Sequence, residues 1–104
     1  MNPKVTALVP TYCRPELLRR AMLSVLGQSY SNLQLSIFDN ASGKDTQDVV
    51  ASLSKNDDRV KYHCHSNNIG ARDNFRYAFK SVDTPYFSIL SDDAFVARYF
   101  YNDA

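Results

Sequence analysis

A three-layer α/β fold, a mostly parallel four-stranded sheet with helices on both faces, is the architecture the sequence predicts. Two observations carry it. Strand-like and helix-like patterns alternate as β-α-β-α-β-α-β along 104 residues, and only a few residues connect one to the next. Short connections in that order require parallel strands joined by right-handed helical crossovers. With 44% hydrophobic and 22% charged residues, the chain has the makeup of a single globular domain near the common size of roughly 100–150 residues.

Each element follows from local chemistry. Lys4–Pro10 (KVTALVP) is an apolar, β-rich run of the kind buried on both faces, and Pro10, which has no N–H to donate, is expected to end it. Pro15 suits the first turn of a helix. Leu17, Leu18, Ala21, Met22, Val25 and Leu26 then recur at helical spacing, and Gly27 is placed to stop them. Leu33–Asp39 (LQLSIFD) is a second strand, followed by turn chemistry in Asn40-Ala41-Ser42-Gly43. Asp45 is expected to cap a short helix that buries Val49, Val50 and Leu53. Val60–His65 alternates, which predicts an edge strand with Lys61, His63 and His65 facing solvent. Ala71–Ser81 is helical, and the spacing of Phe75, Ala78, Phe79 and Val82 places those residues in the core. Tyr86–Ser91 is short and apolar, so it is expected to be a central strand.

Composition excludes several function classes. Twelve basic residues oppose 11 acidic ones, and the first 52 residues (five basic, four acidic) do not differ in sign from the last 52 (seven and seven). Bulk electrostatic binding to nucleic acid is therefore not expected. No apolar stretch approaches the ~20 residues of a transmembrane helix, and no signal segment opens the chain. Cys13 and Cys64 build no disulfide framework, which makes a reducing, cytoplasmic setting the default. Three glycines cannot write a G-x-G-x-x-G turn or a phosphate-cradling Walker loop.

In open parallel sheets, ligands bind beyond the carboxyl ends of the strands. Those ends bear Thr11-Tyr12-Cys13-Arg14, then Asp39-Asn40, then Ser91-Asp92-Asp93. Three carboxylates are thus expected on one rim, where mutual repulsion calls for a cation or a proton. Oxygen ligands suit Mg²⁺ or Mn²⁺, which in turn hold phosphate oxygens, and Arg14 or Arg72 could take the remaining phosphate charge.

The segments Val5–Arg14 (VTALVPTYCR), Ile37-Phe38-Asp39-Asn40-Ala41-Ser42, Asn67-Asn68-Ile69-Gly70-Ala71-Arg72-Asp73-Asn74 and Ile89-Leu90-Ser91-Asp92-Asp93 stand in the order seen in family 2 glycosyltransferases. The chain resembles that family, which has the GT-A fold, over nearly all of its length. The resemblance implies a site for a nucleotide-diphosphate sugar, with a UDP-sugar favoured. Asp39 would contact the base, since a carboxylate can accept the N3–H of uracil or thymine. Pro10, Thr11 and Tyr12 would line base and ribose, and Arg72 would sit against base or diphosphate. Asp92 would take the ribose and Asp93 the metal, although S-D-D-A departs from a strict D-x-D and leaves the assignment between the two aspartates open. The metal would assist departure of the diphosphate.

Simpler readings stand beside these. Asp39-Asn40 is also a turn starter, Asp92-Asp93 a helix cap, Arg72 a solvated arginine and Cys13 a small loop residue. His63 and His65 share a strand face, a geometry open to a metal pair, but solvent exposure is the expectation. The family's domain continues past the acidic motif with acceptor-binding strands and a general base. Residues 1–104 are thus expected to form only the nucleotide-binding half, inactive alone and with no assignable catalytic base, because only Asp103 follows Asp93 among the acids. The tail Ala94–Ala104 holds Phe95, Tyr99, Phe100 and Tyr101, so self-association through the tail or a sheet edge is expected. A non-catalytic nucleotide-binding or assembly module is the alternative. For location, the resemblance adds surface polysaccharide work, and with it the inner membrane surface as a peripheral site.

Overall fold

The computed structural model describes residues 4–28 and 32–90. Within them lie β1 (Val5–Thr11), α1 (Pro15–Leu26), β2 (Leu33–Asp39), α2 (Lys44–Ser54), β3 (Val60–Cys64), α3 (Ala71–Lys80) and β4 (Tyr86–Ile89). All pairings are parallel and the strand order is β3-β2-β1-β4. The chain winds from β1 outward to β3, then returns across β1 to place β4 on its other side. The order therefore reverses between β1 and β4, the place where such sheets hold ligands.

The two faces carry different cores. Val5, Ala7, Val9, Leu33, Leu35 and Ile37 point toward α1 and α2 and pack with Leu18, Met22, Val25, Val49 and Val50. Leu8 and Phe38 point the other way, against Ala78 of α3 with Val82 and Ile89. Helix α1 begins at Pro15 and is closed by Gly27, whose N–H donates to Leu23 O at 3.0 Å, as its sequence requires. Arg59 donates from Nη2 to Leu26 O (3.2 Å) and to Asp57 (2.7 Å), fastening the turn before β3 onto the end of α1. That hydrogen-bonded guanidinium holds the Asp57 carboxyl below its ordinary range.

Several expectations need correction. Strand β1 runs one residue past Pro10, to Thr11. The residue preceding α2 is Gly43 at φ +104°, with Asp45 inside the first turn and Lys44 paired to Asp48 at 3.1 Å. Strand β4 pairs only with β1 among the described residues, so it is an edge there. Phe75 and Phe79 are not core: they are 44% and 51% exposed, and α3 instead buries Asn74 and Ala78. A small residue and a short amide let the helix lie close to the sheet, which two phenyl rings would hold away. His63 and His65 do not face open solvent. Both are half-buried, and their rings lie 4.6 and 4.8 Å from that of Tyr77 on α3.

Candidate functional site

Register brings the strand ends level. Thr11 pairs with Asp39, and Asp39 pairs with Cys64. The ladder continues one step into the loops, with Asn40 N–H donating to Thr11 O (3.0 Å) and His65 N–H to Asp39 O (2.9 Å). Three loops therefore leave the sheet side by side.

Asp39 ties these loops together. Its side chain is 0% exposed, so its oxygens require donors. Oδ1 accepts the Ser42 N–H at 2.9 Å, which folds the chain after β2 back on itself. Oδ2 accepts the Tyr62 hydroxyl at 2.5 Å. Burial, and then that bond, push the Tyr62 phenol well above its ordinary pKa, so it remains a donor. Ser42 passes the constraint on, because its Oγ accepts the Cys13 N–H at 2.7 Å. Cys13 and Ala41 are the two described non-glycine residues at positive φ, +54° and +65°. Backbone of that kind costs roughly 1–3 kcal/mol and persists only where its surroundings enforce it. Here the Asp39–Ser42–Cys13 chain does so.

Beside this node lies a cleft of about 400 Å³. One wall is Pro10, Thr11, Tyr12 and Arg14, the other Asn68, Gly70, Ala71 and Asn74, and Asn40 lies between them. Tyr12 is 48% exposed and offers an aromatic surface. Helices α1 and α3 both start at the cleft, and neither has a side-chain cap, so main-chain N–H groups at two helix N-termini are left for an acceptor. Gly70, at φ +87°, has open space where a Cβ would project.

Of the residues the sequence singles out, Pro10, Thr11, Tyr12 and Arg14 line this cleft together. Arg72 is exposed in the first turn of α3, one residue beyond the cleft lining. Asp39 is buried and is not among the residues that line the cleft. Asp92 and Asp93 lie outside the described residues, as does the aromatic tail. Of the three carboxylates expected on one rim only Asp39 lies among the described residues, and there each of its oxygens accepts one hydrogen bond. Among the described residues, no three His, Cys, Asp or Glu side chains gather as a metal site, and the His63–His65 pair spends its facing nitrogens on each other at 3.3 Å. Sequence reasoning missed Tyr62 and Ser42 as partners of Asp39. It quoted Asn68, Gly70 and Asn74 only as parts of a motif, whose glycine was the available signal.

The family model described as glycosyl transferase family 2 matches residues 6–102. The chain belongs to that family. Among the relatives it resembles, GalNAc(5)-diNAcBac-PP-undecaprenol beta-1,3-glucosyltransferase of Campylobacter jejuni is 34% identical over 92 residues, covering 88% of this chain and 30% of that protein. The putative colanic acid biosynthesis glycosyl transferase WcaA of Escherichia coli is 34% identical over 94 residues, covering 88% and 33%. The chain spans about a third of the length of these curated relatives. Solved structures share the fold. A mannosyltransferase of Pyrobaculum calidifontis in complex with GDP-Man and Mn²⁺ aligns with a TM-score of 0.83 at 22% identity, over 95% of this chain and 30% of that one. TarS 1-349 of S. aureus in complex with UDP-GlcNAc aligns at 0.86 with 18% identity, over 96% and 29%. The four-stranded parallel sheet is that of the GT-A glycosyltransferases.

Proposed function

We infer that this chain supplies the donor-binding part of a glycosyltransferase, which moves a sugar from a nucleoside diphosphate to a hydroxyl acceptor. The observation that carries the reading is the cleft at the strand-order reversal, bordered by two uncapped helix N-termini, a tyrosine face and Arg14. Its volume falls within the roughly 300–1,000 Å³ of small-molecule sites. Tyr12 and Thr11 receive base and ribose. The start of α3 with Arg72, and Arg14 across from it, receive diphosphate charge.

Asp39 is assigned to a uracil N3–H, which a carboxylate can accept and which it reaches only when the loops that bury it part, and UDP remains the favoured donor nucleotide. Its other contribution is to shape the loops that make the site. Asp92 follows β4 by three positions and is assigned to the ribose. Asp93 is assigned to Mn²⁺ or Mg²⁺, which when bound supplies positive charge to the leaving diphosphate. The Campylobacter relative, whose name includes PP-undecaprenol, supports peripheral work at a membrane surface, and the cytoplasmic side of the inner membrane is the place we assign. No described helix is long and apolar enough to cross a membrane. Exposed Phe75, Phe79 and Phe87, on the α3 side of the sheet beside the β4 edge, are the surface assigned to self-association.

Calorimetry with UDP, with and without Mn²⁺, tests the reading. Expected are binding that needs the metal, loss of binding in Asp93→Asn, and about tenfold weaker binding in Tyr12→Ala from lost stacking. Equal binding without metal removes the role of Asp93. Unchanged affinity in Tyr12→Ala removes the cleft.

A further inference from the structure

The cleft wall formed by residues 68–74 spans the end of the β3–α3 connection and the first turn of α3, and hydrogen bonds pin it to the end of β2. Ile69 N–H donates to Asn40 Oδ1 at 2.8 Å. Asn74, 2% exposed, donates from Nδ2 to Phe38 O at 3.0 Å. A carbonyl can only accept, so this bond fixes which end of the amide faces the sheet. Asn74 Oδ1 is thereby turned toward His65 Nε2, 2.9 Å away.

An amide oxygen also only accepts, so His65 carries its proton on Nε2. In a neutral ring Nδ1 is then a lone pair, to which His63 Nε2, 3.3 Å away, donates. The relay runs from His63 through His65 to Asn74 and ends on the main chain of β2, one residue from Asp39. His63 is itself stacked on Tyr77 of α3, at 4.6 Å and 19° between ring planes.

We propose that His65 is a positioning residue for nucleotide binding: it holds Asn74, and with it the start of α3, at the separation from Tyr12 that a bound nucleotide needs. The proposal rests on the donor-site reading above. Remove the imidazole, and a buried amide oxygen loses its donor. Asn74 is then free to turn away from Phe38, and Gly70 and Ala71 lose one of the ties that set the cleft width.

Two substitutions separate this from simple packing. His65→Ala removes the donor, whereas His65→Gln places an amide N–H near the position of Nε2. UDP affinity with Mn²⁺ is measured by calorimetry on the full chain, and amide hydrogen exchange is followed in parallel. Expected for His65→Ala are affinity weakened about tenfold and exchange accelerated about tenfold at Ile69 and Asn74, with Ala7 and Leu35 unchanged. Expected for His65→Gln is recovery of both to within about threefold of the parent. Equal losses in the two variants overturn the hydrogen-bond role, and unchanged exchange at Ile69 and Asn74 overturns the positioning role whatever the affinity does. A parent chain that binds no UDP overturns the donor-site reading and this proposal with it, and exchange that still responds then marks the relay as structural only.

Discussion

Tyr62→Phe is the substitution that most directly tests how the site is held together. It deletes one oxygen and leaves the ring in place, so Asp39 Oδ2 loses its donor while remaining beneath the loops. Hydrogen bonds to charged groups are worth about 1.5–3 kcal/mol net, and an abandoned buried acceptor falls in the same range. Taking about 2 kcal/mol, and about 4–8 °C per kcal/mol for a domain of this size, the midpoint of thermal unfolding should fall by about 8–16 °C. Pairing the change with Asp39→Asn in a double-mutant cycle isolates the contact, and a coupling above about 1 kcal/mol is expected.

Alkaline pH gives a second reading of the same bond. The phenol titrates at its ordinary value of 10.0 in the unfolded chain and higher in the folded one. Below the unfolded value both states hold the proton, and the stabilisation is fully present. As pH rises past 10.0, the unfolded state releases its proton first, so stability is lost. The gap between parent and Tyr62→Phe should therefore narrow progressively as pH rises above 10.0. A variant within about 0.5 kcal/mol of the parent, with a gap independent of pH, would refute the Asp39–Tyr62 bond as a support of the loops.

Two further outcomes test the layer and loop assignments. Ala78→Leu should overpack the α3 face and lower stability by about 1–3 kcal/mol in urea denaturation, whereas Phe79→Ala, which loses mainly its edge contact with Phe87, should cost no more than about 1 kcal/mol; the reverse order would mean that α3 is turned the other way. Gly43→Ala meets no atom within 4 Å, so its cost is backbone strain alone, about 1–3 kcal/mol from φ +104° and ψ −169°; an unchanged urea midpoint would contradict that backbone.

Much of the frame was legible because local chemistry and long-range packing agree there. Pro15 and Gly27 bound α1 as their backbone preferences require, and the alternation of Val60–Cys64 marked the β3 edge. Helix α3 shows where periodicity alone fails. Phe75, Ala78, Phe79 and Val82 fit a helical stripe, yet the residues that α3 buries are Asn74 and Ala78, while Tyr77, 45% exposed, lays its ring edge against Phe38. The reason is tertiary: Phe38 and the two histidines already fill the space beneath the helix, leaving room for small side chains. The Asp39–Tyr62 contact had no local signal at all. It depends on the β2–β3 register, which sets Tyr62 opposite Ile37, two residues before Asp39 on the same face.

An aspartate closing a strand beside a cleft reads first as a candidate ligand contact, but this one is a junction. Its two oxygens and its own carbonyl engage Ser42, Tyr62 and His65, so the loops after β1, β2 and β3 all refer back to a single residue. Lost binding on its replacement therefore has two physical sources, a missing base contact and a collapsed cleft wall. They differ in what else moves. A missing base contact changes affinity for a uridine nucleotide and leaves the left-handed backbone at Cys13 and Ala41 intact. A collapsed wall releases that strain and weakens every nucleotide alike, because strained backbone survives only while the hydrogen bonds that impose it remain.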